Sequence, residues 1–168
     1  MENKPICEID TLGNKIWYLN GEIHREDGPA IEYANGEKIW YLNGELHRED
    51  GPAVELTDGT KHWWINGIRH REDGPAIEYA NGEKIWKVNG ITHRLDGPAH
   101  ITSDGDKVWY INDCHVTDQI IQWAEENDID LGNLTEDDIN LIKIEWADYE
   151  ELRKWTLPVF KQVDFACL

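Results

Sequence analysis

Residues 24–46 read His-Arg-Glu-Asp-Gly-Pro-Ala-Ile-Glu-Tyr-Ala-Asn-Gly-Glu-Lys-Ile-Trp-Tyr-Leu-Asn-Gly-Glu-Leu, and at His47 the pattern starts again. The block His-Arg-Glu-Asp-Gly-Pro-Ala begins at His24, His47 and His70, and His-Arg-Leu-Asp-Gly-Pro-Ala begins at His93, which makes the period 23 residues. Such a period marks an array of supersecondary units, each burying its apolar face against its neighbours. Four full units are present, and Ile6 to Asn20 reads as a degenerate first copy.

Each unit carries two turn signals. The first is Asn35-Gly36, Asp58-Gly59, Asn81-Gly82 and Asp104-Gly105; the second is Asn20-Gly21, Asn43-Gly44, Asn66-Gly67 and Asn89-Gly90. These dipeptides tolerate the positive φ of a two-residue type I′ hairpin turn. The residues between them are β-branched or aromatic, so the pattern predicts an antiparallel meander. Asp-Gly-Pro adds a bend once per unit, because Pro donates nothing to a ladder. A two-residue turn at Asn35-Gly36 sets Ile31 opposite Trp40 and Glu32 opposite Ile39. One face then collects Ile31, Tyr33, Trp40 and Leu42 and is assigned to the core, with Trp17, Trp40, Trp63, Trp86 and Trp109 along it. The other collects Ala30, Glu32, Ile39 and Tyr41.

The pattern Trp-Tyr-x-Asn-Gly followed by His-Arg-x-Asp-Gly-Pro-Ala resembles the MORN-like repeats found in many phage and giant-virus proteins, over about residues 5 to 116. The resemblance implies a binding or assembly surface with no shared catalytic residues, a viral origin, and an accessory role towards host machinery. The pattern is lost at Asn112-Asp113-Cys114-His115, where the array is expected to stop.

Residues 117–168 read as an acidic helical tail. Ile120, Ile121, Trp123 and Ala124 form an apolar stripe at helical spacing, with Asp118 near the helix start. Thr135-Glu136-Asp137-Asp138 resembles a capping box ahead of Ile139, Ile142, Trp146, Tyr149 and Leu152, a second helix ending before Pro158. Leu141 to Trp146 also alternates like a strand. The expected fold is therefore mainly β, an elongated hairpin-repeat array over residues 1–116 capped by two helices within 117–168. A partner-binding tail is the alternative to an end cap.

Residues 1–116 hold 21 acidic and 12 basic side chains, the tail 13 and 4, so each part carries nine net negative charges. A non-specific grip on nucleic acid or anionic lipid is disfavoured, and a basic or neutral partner fits better. Cys7, Cys114 and Cys167 are far apart and lack zinc-ligand spacing, and no run reaches the roughly 18 apolar residues of a membrane span. The expected setting is a reducing cytoplasm, the host's if the protein is viral.

The recurrent His would tempt a metal assignment. Equivalent residues in adjacent units stand roughly 9.5 Å apart, whereas zinc needs its ligands within about 2 Å, so no metal and no cofactor are expected. The His is read as structural, opposite Trp40 in the case of His47, with Asp50 accepting its proton. Arg25, Arg48, Arg71 and Arg94 are read as salt-bridging the acidic row Glu26, Glu49 and Glu72. The alternative is an anion- or nucleotide-binding edge, most of all near Leu95. No phosphate loop, nucleophile elbow or zinc-protease motif occurs, and an enzyme is not expected.

Positions that break the repeat carry more information than those that keep it. Ile39 becomes His62, Tyr41 becomes Trp64 and then Lys87, and Glu32 becomes Ile101. Tyr18, Tyr41, Trp64, Lys87 and Tyr110, with His62 and flanked by Glu32, Glu55 and Glu78, form the candidate binding surface, since aromatics beside charge are what a protein interface uses. The leading expectation is a non-enzymatic module that binds and blocks a host protein. The alternatives are a sponge for a small nucleotide signal, held between sheet and tail, and an acidic mimic of nucleic acid. Self-association through the edge strand or the tail is a further expectation.

Overall fold

The computed structural model describes residues 4–152, with side chains described as far as Trp146. The opening copy and first full unit contain β1 (Ile6–Ile9), β2 (Lys15–Leu19), β3 (Glu22–Ile23), β4 (Ile31–Glu32), β5 (Lys38–Ile39), β6 (Tyr41–Leu42) and β7 (Glu45–Leu46). β1, β2, β4 and β5 start a long antiparallel sheet that continues through 54–55, 61–62, 77–78, 84–85, 100–101 and 107–108, and β3 pairs with β2 at its side. Four two-stranded hairpins branch from it, the first made of β6 and β7.

The two Asn-Gly signals build different turns. At the second, Leu42 pairs with Glu45 and both Asn43 (φ 50) and Gly44 (φ 76) are left-handed, the expected two-residue type I′ turn. At the first, Ile31 pairs with Ile39 and Glu32 with Lys38, because the loop holds three residues. The Tyr33 N–H donates to the Glu37 carbonyl, the Gly36 N–H to the Tyr33 carbonyl, and only Gly36 has a positive φ. Asn35 keeps a negative φ and accepts the Glu37 N–H on its side chain at 3.1 Å. This is a type I turn closed by a left-handed glycine. The one-residue change moves every partner to the other face, so Ile31 does not face Trp40 as expected.

The corrected register gives two lines across the sheet. Ile16, Ile31, Ile39, Val54, His62, Ile77, Ile85, His100 and Val108 stand opposite one another in sequence, an apolar line interrupted by two histidines. Beside it, with side chains on the other face, run Lys15, Glu32, Lys38, Glu55, Lys61, Glu78, Lys84, Ile101 and Lys107, alternating in sign until Ile101.

The core also differs from expectation. Ala30, Ala53, Ala76 and Ala99 are 0 % exposed and lie beside the buried Ile31, Val54 and Ile77, whereas Trp17, Trp40, Trp63 and Trp86 are half-buried. These tryptophans mark the branch point of each unit. The Trp40 N–H donates to the Ala53 carbonyl in the next unit while its carbonyl receives the His47 N–H, and Trp17, Trp63 and Trp86 repeat the arrangement.

Trp109 has no following unit and meets the tail. Its N–H donates to the Thr117 hydroxyl and its carbonyl accepts from Val116. Helices α1 (Thr117–Glu126) and α2 (Glu136–Leu152) close the array through a cluster of Trp109, Ile111, Val116, Ile120, Ile142 and Trp146. Thr135 and Asp138 make the reciprocal capping bonds expected ahead of α2, and Leu141 to Trp146 is helical. The first helix ends at Glu126, before Leu131-Gly132, with Asp128 left-handed at φ 57. The expected stop before Pro158 lies outside the described residues. Among the described residues no helix is long and apolar enough to cross a membrane.

Candidate binding surfaces

One face is a stack of repeated brackets. The Arg25 guanidinium lies 4.2 Å from the Trp17 ring centroid, and Arg48 on Trp40, Arg71 on Trp63 and Arg94 on Trp86 sit at 4.0, 4.1 and 4.3 Å. Each Nε donates to the Asp two residues later, at 2.7–2.8 Å, and each Nη1 to the proline carbonyl four residues later. Nη1 of Arg25, Arg48 and Arg71 also donates to Glu32, Glu55 and Glu78 at 3.2, 2.9 and 3.1 Å. The side-chain bond and then the charge of these arginines hold Asp27, Asp50 and Asp73 below the usual carboxylate range.

Glu32, Glu55 and Glu78 therefore belong with the arginines and tryptophans, not beside the tyrosine row where the sequence reading set them. Nor do Glu26, Glu49 and Glu72 pair with the arginines. They approach the Nε2 of His24, His47 and His70 at 3.7–3.8 Å. The expected His47–Asp50 bond is replaced by a link between units, in which the Asn66 N–H donates to His47 Nδ1 at 3.2 Å, as Asn43 does to His24, Asn89 to His70 and Asn112 to His93. The bracket changes at Arg94, where Ile101 stands in place of the second carboxylate. There a cleft of about 340 Å³ opens among Arg71, Trp86, Arg94 and Lys143 of α2, with Glu72, Asp73 and Asp96 also at its walls.

The tyrosine row occupies the hairpins. Tyr18, Tyr41, Trp64, Lys87 and Tyr110 are all half-buried and stand across from Ile23, Leu46, Arg69, Thr92 and His115. Lys87 Nζ turns back onto its own hairpin, donating to Thr92 Oγ1 at 2.9 Å and the Gly90 carbonyl at 3.2 Å. The Tyr110 ring lies 5.4 Å from that of His115.

The unit of residues 47–69 stands apart. The Arg69 guanidinium lies over Trp64 at 4.8 Å and acts on His62, whose ring meets Tyr79 edge-on at 5.9 Å. Burial first, then the Arg69 charge, lowers the His62 pKa against a smaller opposing pull from Asp58. Arg25, Arg48, Arg71 and Arg94 each hold a carboxylate, but Arg69 holds none among the described residues. Three nitrogens, His62 Nε2, Trp64 Nε1 and Arg69 Nε, are buried without a hydrogen-bond partner.

No protein-family model matches this chain, and no curated protein matches it. The site thus rests on its own geometry. His62 and Trp64 were candidates from the sequence and are brought together; Arg69 and Tyr79 were not. Arg69 takes a place filled by Ile23, Leu46 and Thr92 in other units, and comparing those positions would have marked it.

Proposed function

We propose that this chain is a non-enzymatic binding protein that engages a protein partner through the hairpin face, with His62, Trp64 and Arg69 at the centre and Tyr41 and Lys87 on either side. The observation that carries the reading is the stack of Arg69 on Trp64 beside His62, three residues that replace the usual repeat residues and that each hold a buried nitrogen without a hydrogen-bond partner. Buried groups of this kind cost about 1–3 kcal/mol each, so stability of the scaffold does not account for these residues at these positions. A stacked Trp and Arg is also the composition that dominates binding energy at interface centres. The resemblance to MORN-like repeats motivates the finer reading, a phage or viral accessory factor that occupies and blocks a host protein. The test is comparative capture from host lysate by the parent chain and by Trp64→Ala and Arg69→Ala. Stoichiometric retention lost in both variants supports the surface; retention unchanged in both removes it.

A second reading, sequestration of a small nucleotide, is favoured by the cleft beside Trp86, Arg94 and Lys143, where the arginine lacks its second carboxylate. Thermal melting separates the two. Only a sequestering protein gains several degrees from a nucleotide present at a hundred times its dissociation constant.

A further inference from the structure

The two ends of the sheet are finished differently. The last unit is covered by α1 and α2, while β1 ends the strand order at the other side and all four of its residues are exposed. Ile6, Ile9 and Leu12 at this end are 70, 65 and 76 % exposed. Repeat arrays need polar terminal units, and an apolar edge strand with free backbone groups is a template for another strand.

The hydrogen-bond parity shows which backbone groups are free. β1 pairs with β2 so that Ile6 meets Tyr18 and Glu8 meets Ile16. The Asp10 N–H donates to the Asn14 carbonyl in the same register, so residues 6, 8 and 10 bond inwards and residues 5, 7 and 9 point their backbone groups outwards. The outward donors are the N–H groups of Cys7 and Ile9, because Pro5 has none.

We propose that β1 is a self-association edge that pairs antiparallel with β1 of a second copy of this chain, with Cys7 facing Cys7 across a twofold axis. In this register the two Cys7 residues exchange backbone bonds, and each Ile9 N–H meets the Pro5 carbonyl of the other copy. Cys7, Ile9 and Pro5 form one apolar side of the seam, and Lys4 stands across from Asp10, a complementary pair at each end. The register with its twofold axis one residue further on, a slip of two residues, would set Glu8 directly against Glu8, so like charge selects against it. The half of the net charge that lies beyond the array is remote from the seam where α1 begins. The nine gaps between main-sheet strands put the far edge of the sheet, beside the start of α1, roughly 43 Å from the seam, several screening lengths away at about 8 Å each in physiological salt. This inference is independent of the hairpin surface, which lies along the array.

The test is sedimentation of the full chain over a concentration series, joined to cross-linking with a short bis-maleimide in a Cys114→Ser, Cys167→Ser background. The expected result is a concentration-dependent dimer that is captured through Cys7. Ile9→Pro removes an outward N–H and no bond to β2, so it is expected to weaken the dimer tenfold or more with little change in melting temperature. A chain that stays monomeric at all concentrations overturns the proposal, as does a dimer that Ile9→Pro leaves intact, or a β1 that captures only unrelated peptides.

Discussion

The backbone N–H of Trp109 donates to the side-chain oxygen of Thr117 at 3.0 Å, in the place where every earlier repeat tryptophan donates to an alanine carbonyl. A single hydroxyl at the start of α1 thus stands in for an entire following unit. Trp109 is 2 % exposed, against half-burial of its four predecessors, because Ile120, Ile142 and Trp146 cover what a next unit would cover. Thr117→Val keeps the shape and removes the acceptor, leaving a buried N–H unsatisfied. The expected loss is about 1–3 kcal/mol, read as a lower denaturant midpoint with an unchanged slope. A midpoint equal to the parent's would mean that water replaces the hydroxyl.

The glycine of each Asp-Gly-Pro does not owe its place to a positive φ. A methyl group on Gly74 would stand 2.7 Å from the Arg71 guanidinium carbon, and on Gly28, Gly51 and Gly97 it would meet Arg25, Arg48 and Arg94 at 3.0, 2.9 and 2.8 Å. The guanidinium is fixed from above by its tryptophan and at the sides by Asp and carbonyl bonds, so it has little room to retreat. Gly74→Ala is expected to destabilise by about 1–3 kcal/mol through overpacking. Adding Arg71→Ala should recover part of that loss, and a double-mutant cycle on chemical unfolding measures the coupling.

Much of this architecture was legible in the residues, and the limits are specific. The 23-residue period, the type I′ turn at Asn43-Gly44, the capping box at Thr135 and the helical tail follow from local chemistry, and all are present. Asn35-Gly36 misled because the same dipeptide closes a different loop when the Asn side chain bonds the N–H two residues on. That single residue of slip sent Glu32, Glu55 and Glu78 to the wrong face, and with them a third of the expected surface. Recurrence of tryptophan on one face, together with the value of burying it, marks that face as core in the sequence. In the structure alanine fills the tightest positions and arginine covers the tryptophan rings, an arrangement that depends on contacts between units and has no local signature. Arg69 escaped notice for a related reason, since its importance comes from Trp64 across the hairpin and His62 beside it.

His62 replaces an aliphatic residue in the line between Val54 and Ile77, and its Nε2 is buried without a partner. His100, the other histidine in the line, donates from Nε2 to the Glu83 carboxylate at 2.9 Å and so is compensated. Burial and Arg69 lower the folded-state pKa of His62 below its ordinary value of 6.5. The unfolded chain therefore binds more protons in the window just below 6.5, and stability falls as the pH drops through it. His62→Ile restores the residue used at 39 and 85. It is expected to raise stability by about 1 kcal/mol at pH 7, and the advantage should widen between pH 7 and pH 5.5. Melting curves of the two proteins at both pH values test this, because the other histidines are common to both and cancel in the difference. An advantage that narrows on acidification would show that His62 is charged in the folded state.

Ile101 interrupts the alternation of Lys and Glu across the sheet. It stands between Lys84 and Lys107, and Arg94 in the same bracket lacks the carboxylate that Arg25, Arg48 and Arg71 take from Glu32, Glu55 and Glu78. Ile101→Glu would therefore place one negative charge among three positive ones, in a backbone site that already carries Glu in three other units. The gain is bounded by solvent screening and by the apolar contact that isoleucine gives up, so the expected stabilisation is about 0.5 kcal/mol at low ionic strength. Salt is the discriminating variable: the difference between Ile101→Glu and the parent should shrink towards zero near 1 M, where screening acts within about 3 Å. A gain that survives high salt would have a non-electrostatic origin. The same substitution offers a second carboxylate to Arg94, which lines the cleft with Trp86 and Lys143. Any nucleotide-induced rise in melting temperature seen in the parent should then be lost in Ile101→Glu, while capture of a protein partner through Trp64 and Arg69 should continue undiminished.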